Sequence, residues 1–247
     1  MDTFNFNLIN LKKVKSFADI GCGNGRHIKS LSSKLHTCNL IGVDHSCEEI
    51  SKMNSEFTNH ICKNQNNYKF VEGDIRDLNS LRKLFDRSKQ NKKPFNAVIH
   101  LAGLKQVANS VNKPLEYWEN NVFGSINLLK VMDENNCRTI IFSSSATIYE
   151  KSSAANIKES FSINPSNPYG STKAAVEKIL MDVFESRPNQ WGIINLRYFN
   201  PVGAHESGLI GEDPLGKPNN LFPLITRVAI GKLEKIEIFG SDWPTPD

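Results

Sequence analysis

Phe142-Ser143-Ser144-Ser145-Ala146-Thr147, entered from the apolar run Thr139-Ile140-Ile141, and Asn167-Pro168-Tyr169-Gly170-Ser171-Thr172-Lys173 beyond it decide the reading of this chain. The first segment reads as a buried strand that ends in hydroxyls. The second opens as a helix, with Pro168 suited to a first helical position. On that helix Tyr169 and Lys173 stand four residues apart, on one face. A hydroxyl, a phenol and an ammonium therefore converge at the carboxyl end of a strand. An ammonium beside a phenol, together with the helix dipole, favours the phenolate and makes Tyr169 a candidate base near neutral pH. Tyr169 with Lys173 is the only Tyr-x-x-x-Lys pair in the chain, although the spacing alone is weak evidence and its context carries the argument.

Working outward, short apolar runs at 17–20, 40–43, 68–71, 97–101, 139–142 and 193–196 read as strands. They alternate with amphipathic stretches, of which 27–35, 78–85, 114–134 and 169–184 carry apolar residues at three- and four-residue steps. Such alternation specifies an α/β fold: a doubly wound, Rossmann-like parallel sheet with helices on both faces and right-handed crossovers. After Leu196 the chain turns rich in Gly, Pro and Asn, which is loop chemistry. A helix pattern at 221–230 and a strand-like 236–239 follow, and Pro244-Thr245-Pro246-Asp247 ends the sequence. This reads as the start of an incomplete C-terminal substrate lobe. The expected division is 1–66, the N-terminal part of the sheet; 67–199, the domain with the catalytic residues; and 200–247, the truncated lobe.

Composition narrows the function classes. The chain has 247 residues, 39% of them hydrophobic, enough for a full α/β domain. A net charge of +4 is mild, and the basic run 89–93 lies between a helix and a strand, where a solvated loop explains it better than nucleic acid does. Five cysteines without a Cys-x-x-Cys pair argue against a disulfide framework and a zinc knuckle. They fit a reducing cytoplasm. The histidines show no metal-ligand spacing, no apolar run is long enough to span a bilayer, and the N-terminus lacks a signal pattern. No metal, nucleic acid or membrane partner is expected.

From about residue 68 onward the sequence closely resembles the UDP-glucose 4-epimerases, a group of extended short-chain dehydrogenases/reductases. The resemblance rests on Phe70-Val71-Glu72-Gly73-Asp74-Ile75-Arg76-Asp77, Val98-Ile99-His100-Leu101-Ala102-Gly103-Leu104-Lys105, Lys113-Pro114-Leu115-Glu116-Tyr117 with Asn120-Asn121-Val122, the Ser and Tyr-Lys segments, and Leu196-Arg197-Tyr198-Phe199-Asn200-Pro201-Val202-Gly203-Ala204-His205. It implies NAD as cofactor, a UDP-sugar as substrate, and interconversion of UDP-glucose and UDP-galactose through a 4-keto intermediate. It assigns Tyr169 as acid/base, Lys173 as the group that lowers its pKa and binds the nicotinamide ribose, and Ser145 as the hydroxyl bonded to the sugar oxygen. It places Asp74 and Ile75 at the adenine, and Leu101, Ala102, Gly103, Leu104, Lys105 and Asn120 along the cofactor. Phe199, Asn200, Asn220, Leu221 and Phe239 fall around the UDP-sugar. The bland readings are a turn cap for Asp74, core for Phe199, and strand-end structure for Ser143 and Ser144. The helices at 114–134 and 169–184 correspond to the pair that forms a homodimer interface in that group.

The first quarter departs from this pattern. Asp19-Ile20-Gly21-Cys22-Gly23-Asn24-Gly25-Arg26-His27 lacks the Gly-x-x-Gly-x-x-Gly spacing of the epimerases, and in the Gly-x-Gly-x-x-Gly register the last position is Arg26, whose bulk should push the helix away from the strand. With Ile41-Gly42-Val43-Asp44 the segment instead resembles the S-adenosylmethionine site of class I methyltransferases. Gly21, Gly23, Gly25 and Asp44 are the candidate cofactor residues in either case, and a tight turn without ligand is the remaining alternative. The competing functions are an active epimerase, an inactive or truncated homologue, and a methyltransferase-like protein. A dehydratase is disfavoured, since Thr147 is followed by Ile148 rather than an acid.

Overall fold

The computed structural model describes residues 14–25, 27–29, 31, 38–58, 67–150, 156–203, 218 and 220–237. Its strands are β1 Ser16–Ile20, β2 Asn39–Asp44, β3 Asn67–Glu72, β4 Ala97–His100, β5 Thr139–Ser145 and β6 Gly192–Tyr198. All pair in parallel, in the order β3-β2-β1-β4-β5-β6. This is the Rossmann-like sheet that the alternating pattern specifies. Strand order reverses between β1 and β4, and the crevice beyond their carboxyl ends is where such sheets bind ligands.

Period-two burial divides the core between two faces. Ala18, Ile20, Val98, Ile140 and Phe142 enter one apolar cluster. Phe17, Ala97, Ile99 and Ile141 enter the other. On the first face lie α2 Leu78–Gln90 and α5 Gly124–Glu134, whose Leu81, Leu84, Phe85, Leu128, Val131 and Met132 are buried at helical spacing. The second face is covered by residues 27–31, of which 27–29 and 31 are described as helical, and by α1 Cys47–Thr58, through Ile28, Leu31, Ile50 and Met53. Removing a fully buried leucine such as Leu128 costs about 2–5 kcal/mol in cores of this kind.

Three elements differ from the sequence reading. The helix expected at 114–134 is broken: α4 Pro114–Tyr117 passes into a π-helical turn Trp118–Phe123 before α5. Periodicity misses this, because one wide turn leaves apolar spacing nearly unchanged. A further short helix, α3 Val107–Asn112, precedes it. In the strand-like 236–239, Ile236 and Glu237 carry no strand structure, and Ile238 and Phe239 lie outside the described residues. A few apolar residues without a pairing edge do not make a strand.

The chain divides into a unit spanning Asp2–Phe199 and one spanning Asn200–Asp247. Within the first, β2 and β3 pair along their length, so residues on both sides of position 66 share one sheet. The second contains α7 Leu221–Ala229.

Candidate active site

β5 ends in three serines with three different tasks. Ser143 offers its carbonyl oxygen to Lys173 Nζ at 2.7 Å. Ser144 donates to Glu177 Oε1 at 2.5 Å. Ser145, 7% exposed, accepts from Thr147 N at 3.2 Å and Thr147 Oγ1 at 3.0 Å, and its hydroxyl acts on the nearby Tyr169 phenol.

α6 Pro168–Ser186 starts where the sequence indicates. Asn167 caps it, its Oδ1 accepting from Gly170 N at 2.9 Å, and Pro168 fills the first position. This cap fixes Tyr169 in the first turn and Lys173 one turn on. One turn further, Glu177 forms a two-pronged ion pair with Arg197 of β6, the closest contact being 2.7 Å. Arg197 also donates to Tyr149 Oη and to the Glu159 carbonyl, both at 2.9 Å. The helix is thereby tied to both neighbouring strands. The expected convergence of Ser145, Tyr169 and Lys173 is present.

Their electrostatics differ from the sequence reading. Burial raises the Tyr169 phenol above its ordinary value, and the nearby Ser145 hydroxyl only partly opposes this. Lys173 is 4% exposed, and burial pushes it down to about 8. Its ammonium is spent on the Ser143 carbonyl and lies over the Phe142 ring at 4.8 Å, while the Tyr169 ring centroid is 5.9 Å away. In this arrangement desolvation outweighs the charge effect expected from the four-residue spacing.

A second buried network lies beside them. Asn121, on the π-helical turn, accepts from Leu104 N at 2.8 Å and donates to Leu104 O and Thr172 Oγ1, both at 3.0 Å. It pins the loop after β4 to the helix that carries Tyr169. Its carbonyl accepts from Ser125 Oγ at 2.5 Å, and Ser125 meets His100 Nε2 at 2.7 Å. Since the Ser125 proton goes to Asn121, His100 donates from Nε2. Burial and the nearby Lys173 hold His100 down at about 3, so it is neutral. Sequence reasoning singled out Asn120, which is half-buried, and missed Asn121, which is 3% exposed. Two adjacent asparagines are indistinguishable until the π-helical turn sets which one points inward.

At the crevice the backbone does more of the shaping. Leu101 N and Ala102 N both donate to Ile20 O at 2.8 Å. Gly21 has φ +85°, and a Cβ there would lie 2.4 Å from Ala102 N, so only glycine fits. Gly23 and Gly25 also have positive φ. Asp44, at the end of β2, accepts from Gly23 N at 2.9 Å and Ser46 N at 3.0 Å and so holds the turn. Beneath it, the buried Asp19 and His27 approach to 3.8 Å, linking β1 to the following helix. Arg26 lies outside the described residues.

The remaining expected residues scatter. Asp74 accepts from Arg76 N at 2.8 Å and pairs with its guanidinium at 2.7 Å, which lowers the Asp74 carboxyl. It therefore caps its turn, and Ile75 beside it is buried. Gly103 and Lys105 are exposed, Leu101, Ala102 and Leu104 partly so. Phe199 is 58% exposed and stacks on Tyr149 at 6.4 Å. Asn200 is exposed, Asn220 caps α7 by position, Leu221 opens α7 57% exposed, and Phe239 lies outside the described residues.

The protein-family model described as GDP-mannose 4,6 dehydratase matches residues 27–247. Among curated proteins, the bifunctional UDP-glucose 4-epimerase and UDP-xylose 4-epimerase 1 of Pisum sativum is 49% identical over 181 residues, 73% of this chain and 50% of that protein. The UDP-glucose 4-epimerase of Yersinia enterocolitica is 48% identical over 206 residues, 83% of this chain and 57% of its own length. The chain thus spans about half the length of the curated relatives it matches. Among solved structures, that of the Bifidobacterium longum UDP-glucose 4-epimerase in complex with NAD+ and UDP superposes with a TM-score of 0.77 at 38% identity, covering 94% of this chain and 68% of that one. The model match starts just after the glycine turn, where the sequence departs from the epimerase pattern, whereas the fold likeness extends over nearly the whole chain. The chain belongs to the GDP-mannose 4,6 dehydratase family and, within it, groups with the UDP-glucose 4-epimerases.

Proposed function

We propose that this chain binds NAD and a UDP-sugar and interconverts UDP-glucose and UDP-galactose. The observation that carries the reading is the meeting of Ser145, Tyr169 and Lys173 at the carboxyl end of β5, next to the crevice where strand order reverses.

The residues at the crevice fit a dinucleotide. A Cβ on Gly103 would lie 3.1 Å from Asn121 Oδ1 and 3.6 Å from Lys173 Nζ, so a glycine keeps the space beside the ammonium clear. Gly23 faces open space. Asp44 spends one acceptor site of each oxygen on the turn and keeps others for ribose hydroxyls. We assign Gly21, Gly23 and Gly25 to the diphosphate, Asp44 to the adenosine ribose, Asp74 and Ile75 to the adenine, and Leu101, Ala102, Gly103, Leu104, Lys105 and Asn120 to the path toward the nicotinamide. Bound NAD supplies a hydride acceptor and donor at the sugar C4.

The chain's own residues handle the proton. Tyr169 Oη takes the proton from the C4 hydroxyl as hydride leaves that carbon, and returns it when hydride comes back on the other face. Ser145 Oγ, beside the Tyr169 phenol, orients the reacting oxygen. Lys173, held by the Ser143 carbonyl, supplies the positive charge that favours the phenolate form in which Tyr169 takes that proton. Phe199, exposed and backed by the buried Tyr149, offers its ring to the base or sugar of the substrate. We further propose a homodimer through the Pro114–Glu134 run and α6, where Leu115 is 82% exposed and Trp118, Phe123, Met181 and Phe184 are exposed as well.

The test is cofactor release and turnover by the purified chain. Denaturation should release NAD, identified by mass spectrometry, and UDP-galactose should be converted to UDP-glucose with no net change in NAD. A chain that neither carries nor binds NAD overturns the reading. Sedimentation of wild type and Leu115→Asp, expected as dimer and monomer, tests the assembly.

A further inference from the structure

A groove of the first unit lies away from the catalytic residues, between α2 and the β2–β3 edge, with a volume of about 610 Å³. That is the size of small-ligand sites. Its floor is apolar: Ile41 and Val43 of β2, Val71 of β3, and Leu81 and Leu84 of α2. Parallel register sets Ile41 beside Lys69 and Val43 beside Val71, so one face of both strands lines it.

Its rim is cationic. Lys69 comes from β3, Lys83 and Arg87 from α2, and Lys93 from the loop before β4. None of these four side chains enters an ion pair among the described residues. Glu72 is the one carboxylate in the lining. A lone edge lysine is a common guard against strand pairing. Four cations brought from three elements against a single carboxylate, Glu72, leave a net positive rim over one apolar floor, which exceeds that role and suits an anion. Helical spacing along α2 puts Ser80 and Arg87, with Asn91 at its C-cap, on the groove side, giving polar groups along a path about 16 Å long.

We propose that this groove binds a small amphiphilic anion, with an alkyl or aryl body on the apolar floor and a phosphate or carboxylate head among Lys69, Lys83, Arg87 and Lys93. The site is separate from the catalytic residues and does not depend on their assignment.

The probe is octyl phosphate, titrated calorimetrically into the full chain with and without NAD, against octanol as the neutral counterpart. One saturable site is expected, insensitive to NAD, with octanol at least about ten-fold weaker and Lys83→Glu/Arg87→Glu weakened at least about ten-fold. Both substituted side chains are exposed, so circular dichroism and the melting temperature should stay at wild-type values. Absence of saturable binding, displacement by NAD, equal binding of octanol, or undiminished binding by the folded double variant each overturns the proposal. Failure of NAD to bind at all bears on the epimerase reading alone, since the octyl phosphate arm is read without it.

Discussion

On the β1–β2 side the crevice is shaped by backbone, on the β4–β5–β6 side by side chains. Gly21, Gly23 and Gly25 turn the chain through positive φ, and a single carboxylate, Asp44, holds the turn. Across the crevice, Asn121, Ser125, His100, Ser143, Ser144, Glu177 and Arg197 form buried networks that fix the loop after β4 and the helix carrying Tyr169. Backbone turns tolerate a change of glycine spacing as long as φ and close approach are kept. Networks of buried polar groups do not tolerate loss of a member, since each orphaned partner remains desolvated. The half that departs from the epimerase pattern is the backbone half.

The sharpest test of the side-chain half is Tyr169→Phe. It should lower turnover about 10³-fold with NAD affinity unchanged, measured by conversion of UDP-galactose and by NAD titration. A variant retaining a tenth of the activity would remove Tyr169 as the proton carrier. The sharpest test of the backbone half is Gly21→Ala, whose Cβ would meet Ala102 N at 2.4 Å. It should destabilise the fold by about 2–4 kcal/mol in urea unfolding. Asn121→Ala follows, leaving both Leu104 groups unpaired, with an expected loss of about 2–3 kcal/mol and weaker NAD binding.

Lys173 inverts the sign. Burial holds it at about 8, against 10.5 for its ordinary value. Between those values the unfolded chain binds the extra proton, so its stability contribution is full above the upper value and lost as pH falls through about 8. Lys173→Met should therefore gain about 1–2 kcal/mol at pH 7, a rise of a few degrees in melting temperature, while losing activity; the gain should vanish near the upper end of that window. The smallest effect belongs to Gly23→Ala. With nothing within 4 Å of the added carbon, only the positive φ opposes it, at about 1 kcal/mol. A larger drop in NAD affinity than in stability would identify Gly23 as the point of cofactor approach.

The six strands, the helix α2 and the start of α6 at Asn167-Pro168 were legible because period and capping are local properties, whereas the run 114–134 was not, because its π-helical turn leaves the apolar period intact. So was the Ser145–Tyr169–Lys173 set, since one strand end and one helix turn carry it. The inward turn of Asn121 rather than Asn120 was not legible, because a π-helical turn decides it. The Asp19–His27 contact was hidden as well, since its partners meet only when the helix after the glycine turn packs on β1.

The sequence by itself determined a doubly wound parallel sheet and the hydroxyl, phenol and ammonium at the carboxyl end of β5, because apolar period, helix caps and four-residue spacing act within a few residues. Tertiary structure alone decided the protonation balance of those groups and the basic groove beside α2. A raised phenol at Tyr169, a lysine near 8 and a neutral His100 follow from burial, and burial is a property of the packed chain that no local pattern contains.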